Sequence, residues 1–175
     1  MPRAVLFVCL GNICRSPAAE GVLRHELARR ELLDNVVVDS AGTIDHHAGR
    51  PADRRMVQAA RGRGIDLDSV SRPVVDSDFA RFDLIVAMDA QNHADLVQHA
   101  RCIGSDALET GRLRMLGSFL PDSAPGQAAD AYEPVPDPYY GGEAGFHEVL
   151  DLLEAAMPAL IQTLTADEAA FRAEA

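Results

Sequence analysis

Residues 4–17 read Ala-Val-Leu-Phe-Val-Cys-Leu-Gly-Asn-Ile-Cys-Arg-Ser-Pro, and no other stretch limits the fold so tightly. Ala4 to Val8 is an apolar run too short for a helix and rich in β-formers, which predicts a strand buried on both faces. At the other end, Ser16 can cap a helix, and Pro17 suits the first turn because its missing N–H needs no partner there. Gly11 and Asn12, between them, tolerate unusual backbone angles. Strand, tight loop and helix N-terminus in that order form an anion cradle. Its N–H groups point inward and the helix dipole lies behind them.

The remainder of the chain repeats the alternation. Strands are expected at Val36–Asp39, Leu84–Met88 and Leu113–Leu116, and helices over Pro17–Arg30, Pro51–Arg63 and from Asp89 to about Ala100. A short helical turn is expected at Asp78–Arg81, and a long amphipathic helix from Glu143 to about Thr165, bent near Pro158. Alternating strands and helices predict an α/β fold, with a parallel sheet covered on both faces. Loops at the carboxyl ends of such strands share one rim, where ligands bind. That rim would carry the cradle, the segment 40–49 and the Pro-rich segment 117–142. A loop of that length inside a compact domain is usually functional.

The cradle's chemistry comes from Cys9 and Arg15. A thiol is mostly protonated at neutral pH, but a helix N-terminus and an adjacent arginine lower its pKa by roughly 1–4 units. Arg15 offers a planar fork that fits two phosphate oxygens, which lysine cannot match. Cys-x5-Arg-Ser therefore supplies a nucleophile, an anion clamp and, in Ser16, a hydroxyl donor. The loop amides of Leu10, Gly11, Asn12, Ile13 and Cys14 would hold the anion. Attack on a phosphate ester also needs a proton for the departing oxygen. Asp137, between Pro136 and Pro138, is the candidate donor, because prolines on both sides limit the backbone's wandering.

Cys9-Leu10-Gly11-Asn12-Ile13-Cys14-Arg15-Ser16-Pro17 resembles the phosphate loop of low-molecular-weight protein tyrosine phosphatases. The likeness extends through Ser40-Ala41-Gly42-Thr43, Phe82 to Asp89, and Asp137-Pro138-Tyr139-Tyr140, and so covers most of residues 3–160. The resemblance implies a flavodoxin-like three-layer sandwich on a four-stranded parallel sheet. It also implies hydrolysis of phosphotyrosine or a small aryl phosphate through a phosphocysteine. In that scheme Asp137 protonates the leaving group and then helps water, while Ser16 stabilises the Cys9 thiolate as it departs. Asn12 and Ser40 are expected, on the same ground, to bond each other and hold the loop's shape. Tyr139 and Tyr140 would wall a slot deep enough for a phenyl phosphate. Where many bacterial relatives carry an aromatic on the opposite wall, this chain has His46, and where a loop-shaping His is usual it has Ser69.

Three rivals share parts of the pattern. Thioredoxin-coupled arsenate reductases need a downstream relay pair of cysteines, and only Cys102 is available. Protein-arginine phosphatases carry Thr in place of Ile13. A phosphopeptide-binding module has no use for Cys9, Arg15 and Asp137 together. A reversible Cys9–Cys14 disulfide is a secondary reading.

Net charge decides what else the chain can serve. At −11 with no Lys among its 16 basic residues, it is a poor partner for nucleic acid or an anionic membrane. No signal peptide and no run near the ~20 apolar residues of a membrane span is evident. Three cysteines, two of them in the anion loop, argue for a reducing, cytoplasmic setting. His46–His47 and His93–His99 match no metal site, and neither metal nor cofactor is expected. The reading is of a single domain over 1–165 with a frayed, acidic tail over 166–175. Its partners would be a phosphotyrosine-containing protein and a cognate tyrosine kinase.

Overall fold

The computed structural model describes the backbone of residues 3–173 and the side chains of residues 3–166. Four strands, β1 (Arg3–Cys9), β2 (Val36–Gly42), β3 (Leu84–Ala87) and β4 (Leu113–Met115), form one sheet in the order β2-β1-β3-β4. Every pairing is parallel, with Val5 opposite Val38 on one side and Leu84 on the other. The helices are α1 (Arg15–Arg29), α2 (Arg54–Arg61), α3 (Asp78–Arg81), α4 (Ala90–Cys102) and α5 (Glu143–Ala173). This is the three-layer α/β sandwich the alternation demands.

β1 explains why the layers exist. Its odd residues Val5, Phe7 and Cys9 belong to one buried cluster, together with residues of α1, α2 and α5. Its even residues Ala4, Leu6 and Val8 belong to the other, with Phe79, Leu96 and Ala100 of α3 and α4. A strand buried on both faces has no polar side to present, so its sequence is a continuous apolar run. β1 is also where the strand order turns, with β2 on one flank and β3 on the other. The crevice at such a point receives ligands, and the cradle leaves the sheet here.

Three sequence expectations need correction. Ser16 does not cap α1; the helix begins at Arg15 with Cys14 in the cap position and no side-chain cap bond. The first-turn amides are left open toward the cradle, and the Ser16 hydroxyl is drawn inward to Cys9 instead. Pro51 does not open α2 either: it bridges to Val70, and Asp53 caps the helix by accepting from the Arg55 N–H. Third, α5 runs to Ala173, beyond the Thr165 limit and through most of the expected tail, because Ala166-Asp-Glu-Ala-Ala-Phe-Arg-Ala173 contains no helix breaker. Its Glu143–Ala166 portion is, by length and composition alone, apolar enough to cross a membrane (mean hydropathy 1.3). The apolarity has an internal use: Phe146, Val149, Leu150, Leu153, Met157 and Leu160 are buried in the cluster that also holds Val5, Phe7 and residues of α1 and α2. Pro158 lies within α5 on an exposed face. Residues 174–175 lie outside the described residues.

The Pro-rich segment between β4 and α5 is pinned at intervals. Phe119 and Val135 are buried, and the Val135 N–H donates to the Met88 carbonyl at the end of β3 (2.8 Å). From Val135 onward the chain turns up to the rim and brings Asp137 over the cradle.

Candidate active site

The loop between β1 and α1 is held from outside by its carbonyls. Those of Cys9, Leu10, Gly11 and Ile13 accept from Thr43 N–H, Ile44 N–H, Ser71 Oγ and Asp53 N–H, at 2.7–3.1 Å. With the carbonyls turned outward, the peptide N–H groups turn inward, which is the geometry an anion nest needs. Gly42 lets β2 come this close: a Cβ there would stand 2.7 Å from the Leu10 carbonyl oxygen.

Asn12 carries the loop's shape. Its φ of 54° is left-handed, a region Asn tolerates better than most residues. Every polar atom of its side chain is used. Nδ2 donates to Ser16 Oγ (2.8 Å) and Ser40 Oγ (3.0 Å), while Oδ1 accepts from the Arg72 N–H (3.0 Å). Ser40 in turn donates to Glu20 Oε2 (2.6 Å). Glu20 is buried and its pKa is raised, chiefly by that burial; bonds from Ser40 and Ser69 and the charge of Arg24 oppose the shift. Ser69 therefore reaches the same buried network through Glu20.

Cys9 Sγ and Ser16 Oγ are 3.0 Å apart. Ser16 already accepts from Asn12, and the Ala41 carbonyl is its longer alternative acceptor at 3.3 Å. A thiolate at Cys9 would take the hydroxyl proton's bond. Arg15 is almost fully buried, and its Nη1 donates to Asp89 Oδ2 (2.5 Å) and the Val135 carbonyl (3.1 Å). Its Nη2 lies 3.6 Å from Asp137 Oδ2. Arg15's pKa is raised: the negative charges of Cys9, Asp89 and Asp137 outweigh the desolvation that alone would lower it. Cys14 is buried, and its thiol is pushed up to about 12 by that burial and by the nearby Asp53 carboxylate. It stays a thiol while Cys9 works beside it.

A cavity of about 200 Å³ opens over the loop, bordered by Cys9, Leu10, Gly11, Ile13, Cys14 and Arg15 below and by Ile44, His46, His47, Asp137, Tyr139 and Tyr140 around it. The Tyr139 ring meets that of Tyr140 edge-on at 4.9 Å, and Tyr140 is 94% exposed. Both histidines line the cavity, but His47 is the inner one. Its ring lies 6.3 Å from that of Tyr139, and a Cβ on Gly11 would stand 2.9 Å from His47 Cδ2. Burial, His46 and Arg50 together lower the His47 pKa, which keeps that ring neutral at pH 7. His46 packs on it edge-to-face at 4.8 Å. Among the described residues, no group of three or more potential metal-binding His, Cys, Asp or Glu side chains occurs.

Sequence reasoning passed over four residues here. Asp89, where the sequence starts a helix, caps α4 through Oδ1 and the Asn92 N–H (2.7 Å); its second oxygen orients Arg15. Glu20 anchors the network under the loop, and Ile44 and His47 share the slot. Only Asp89 carried a signal, an acid directly after the strand beside β1.

Comparison with known proteins agrees with this geometry. The sequence profile of the low molecular weight phosphotyrosine protein phosphatases matches residues 4–170. The Mycobacterium tuberculosis low molecular weight protein-tyrosine phosphatase A is 42% identical over 159 residues, 91% of this chain and 90% of that protein. A putative low molecular weight protein-tyrosine-phosphatase of Synechocystis is 39% identical over 160 residues, 91% of this chain and 95% of that one. The crystal structure of an Entamoeba histolytica protein tyrosine phosphatase with Hepes in its active site superposes with a TM-score of 0.81. It is 42% identical, covering 95% of this chain and 99% of that one. With the family profile matched over residues 4–170 and relatives about 40% identical over nine-tenths of its length, this chain belongs to the low molecular weight phosphotyrosine protein phosphatase family.

Proposed function

We propose that the protein dephosphorylates phosphotyrosine in protein substrates by a two-step route through Cys9. The phosphoryl group sits on the loop amides and the Arg15 fork, with its ester oxygen toward Asp137. Cys9 Sγ attacks phosphorus, the phosphorus–oxygen bond to the aryl group breaks, and Asp137 gives its proton to the departing oxygen. Water then attacks the phosphocysteine, the Asp137 carboxylate accepts its proton, and the sulfur–phosphorus bond breaks with Ser16 donating to the thiolate. This is nucleophilic catalysis joined to general acid–base catalysis.

One observation carries the reading. Asp137 and Cys9 border the same cavity, with Arg15 reaching both the loop and, at 3.6 Å, the Asp137 carboxylate. A nucleophile, an anion clamp and a proton donor are thus aligned around one small space. Tyr139 and Tyr140 on one side and His46 and His47 on the other leave a slot suited to a flat aryl ester. Ring contacts within it would add about 0.5–1.5 kcal/mol beyond area burial. The Ile13 side chain in the cavity lining favours an apolar aryl group over a phosphoguanidinium.

The substrate must be made by a tyrosine kinase, and we include a cognate kinase and a cytoplasmic setting in this reading. Three free cysteines, one of them required as a thiolate, support reducing surroundings. Rapid acid quench during turnover of a phosphotyrosine peptide should trap phosphate on Cys9. Cys9→Ser should trap none and keep less than a few per cent of turnover. A phosphoenzyme that survives Cys9→Ser, or hydrolysis that does, would overturn the proposal.

A further inference from the structure

We propose that Arg55 is a positioning residue that ties the proton-donor loop to the phosphate cradle; the inference rests on the role given to Asp137 above. The tie begins at the cradle itself. The Asp53 N–H donates to the Ile13 carbonyl at 2.7 Å, so the first residue of the α2 cap is fastened to the catalytic loop's backbone. The Asp53 carboxylate then holds Arg55 at two points, Nε to Oδ1 at 3.0 Å and Nη2 to Oδ2 at 2.9 Å. Paired in this way a guanidinium has one orientation, which a lysine ammonium would lack.

From that orientation Nη2 also donates to the Tyr139 carbonyl, at 3.1 Å. The guanidinium carbon lies 5.5 Å from the Tyr139 ring centroid and 4.8 Å from that of Phe146, the fully buried anchor of α5. Both distances are within reach of cation–π attraction. The last link is inside the loop: the Tyr139 N–H donates to Asp137 Oδ1 at 3.1 Å. A continuous path therefore runs from Ile13 through Asp53, Arg55 and Tyr139 to the carboxylate that must face the leaving oxygen.

Arg15 reaches the Asp137 carboxylate from within the cradle, at 3.6 Å, and Arg55 holds the loop from the other side. Among the described residues, Arg55 is the side chain beyond the loop that hydrogen-bonds residues 138–142, whose other bonds are local. Pro136 and Pro138 stiffen the segment without fixing its distance from Cys9. Arg55 is itself half-exposed and clear of the cavity lining, so it touches no reacting atom. Its effect passes through the placement of Asp137 and Tyr139.

The leaving group separates this role from a merely structural one. A poor leaving group such as phenolate needs its proton from Asp137, while dinitrophenolate departs without help. Arg55→Met, compared with wild type on phenyl phosphate and a dinitrophenyl phosphate, should lose about tenfold in kcat/KM, which reports the step that expels the leaving group, on the first and less than about threefold on the second. Inhibition by inorganic phosphate should be unchanged, because the cradle is intact. In an Asp137→Asn background Arg55→Met should add nothing on phenyl phosphate. Asp53→Asn keeps the cap and weakens the two-point pairing, and should show the same selectivity to a smaller degree should Arg55→Met fold poorly. Equal losses on the two esters, no loss on either, or full additivity with Asp137→Asn would overturn the inference. If Asp137→Asn itself shows no leaving-group selectivity, the assignment of the acid fails instead.

Discussion

The two halves of the catalytic apparatus are built in opposite ways. The cradle is buried and cross-braced: Asn12, Arg15, Ser16, Glu20 and Ser40 are each less than 5% exposed and bonded to one another or to backbone. The acid side, from Asp137 to Gly142, is largely exposed and hangs on Val135, Arg15 and Arg55. The contrast follows from what each part must do. A nest of N–H groups aimed at a developing charge works only if it need not reorganise. A proton donor must reach a leaving group, let it out, and then reach water. Hydrogen-bonded depth suits the first task and a lightly held loop the second.

The sharpest way to break the comparison is to remove the acid. Asp137→Asn should depress kcat by roughly 10²–10⁴, most for poor leaving groups. Because Asp137 lies on the exposed side, its loss should leave the melting temperature within about 2 °C, as surface substitutions usually cost under ~0.5 kcal/mol. A large fall in stability would mean that the Arg15–Asp137 contact holds the fold together, and that the loop is no lightly held part.

How much of this could be read from the chain follows the same division. β1, the cradle and the Cys9–Arg15 pair were legible because the chemistry is local, compressed into consecutive residues between a strand and a helix. Asp137 was legible through its prolines. The partners were not. Glu20 reads as one more helix charge, Asp53 falls inside a helix expected to open at Pro51, and Arg55 reads as a surface cation. Their functions depend on segments 20–84 residues away, which period and spacing do not report. Ser16 misled for a related reason: its cap chemistry is real, but tertiary contact with Cys9 and Asn12 claims the hydroxyl first. His47 was outranked by His46 because a one-residue choice in a turn has no periodicity to settle it.

The cradle side can be probed through pH. Burial raises the Glu20 pKa in the folded protein. Stability from this site is then fully present below the unfolded value of about 4.3, and is lost as pH rises through the folded one. Glu20→Gln has no such loss, and its carbonyl can still accept from Ser40. Its melting temperature relative to wild type should therefore climb as pH rises from about 4 toward neutrality. A variant that instead loses ground toward pH 7 would show that the bonds from Ser40, Ser69 and Arg24 outweigh the burial cost, and that the cradle is braced by charge.

The smallest expected effect lies where the two halves meet, at the histidine wall. His47 packs over Gly11 of the cradle and faces Tyr139 of the acid loop, while His46 stacks behind it. An imidazole offers less stacking surface than an indole, so Trp at the inner position should tighten binding of small aryl phosphates. The contact is made equally in ground and transition states, so KM should fall by about two- to tenfold with kcat nearly unchanged, the mark of uniform binding. His47→Trp and His46→Trp measured side by side assign the wall. A larger drop in KM for His47→Trp fits the inner placement, and a larger one for His46→Trp moves the wall outward by one residue. If kcat falls with KM in either variant, the ring is pressing on the Asp137 loop, and the wall belongs with the acid side of the site and not the cradle.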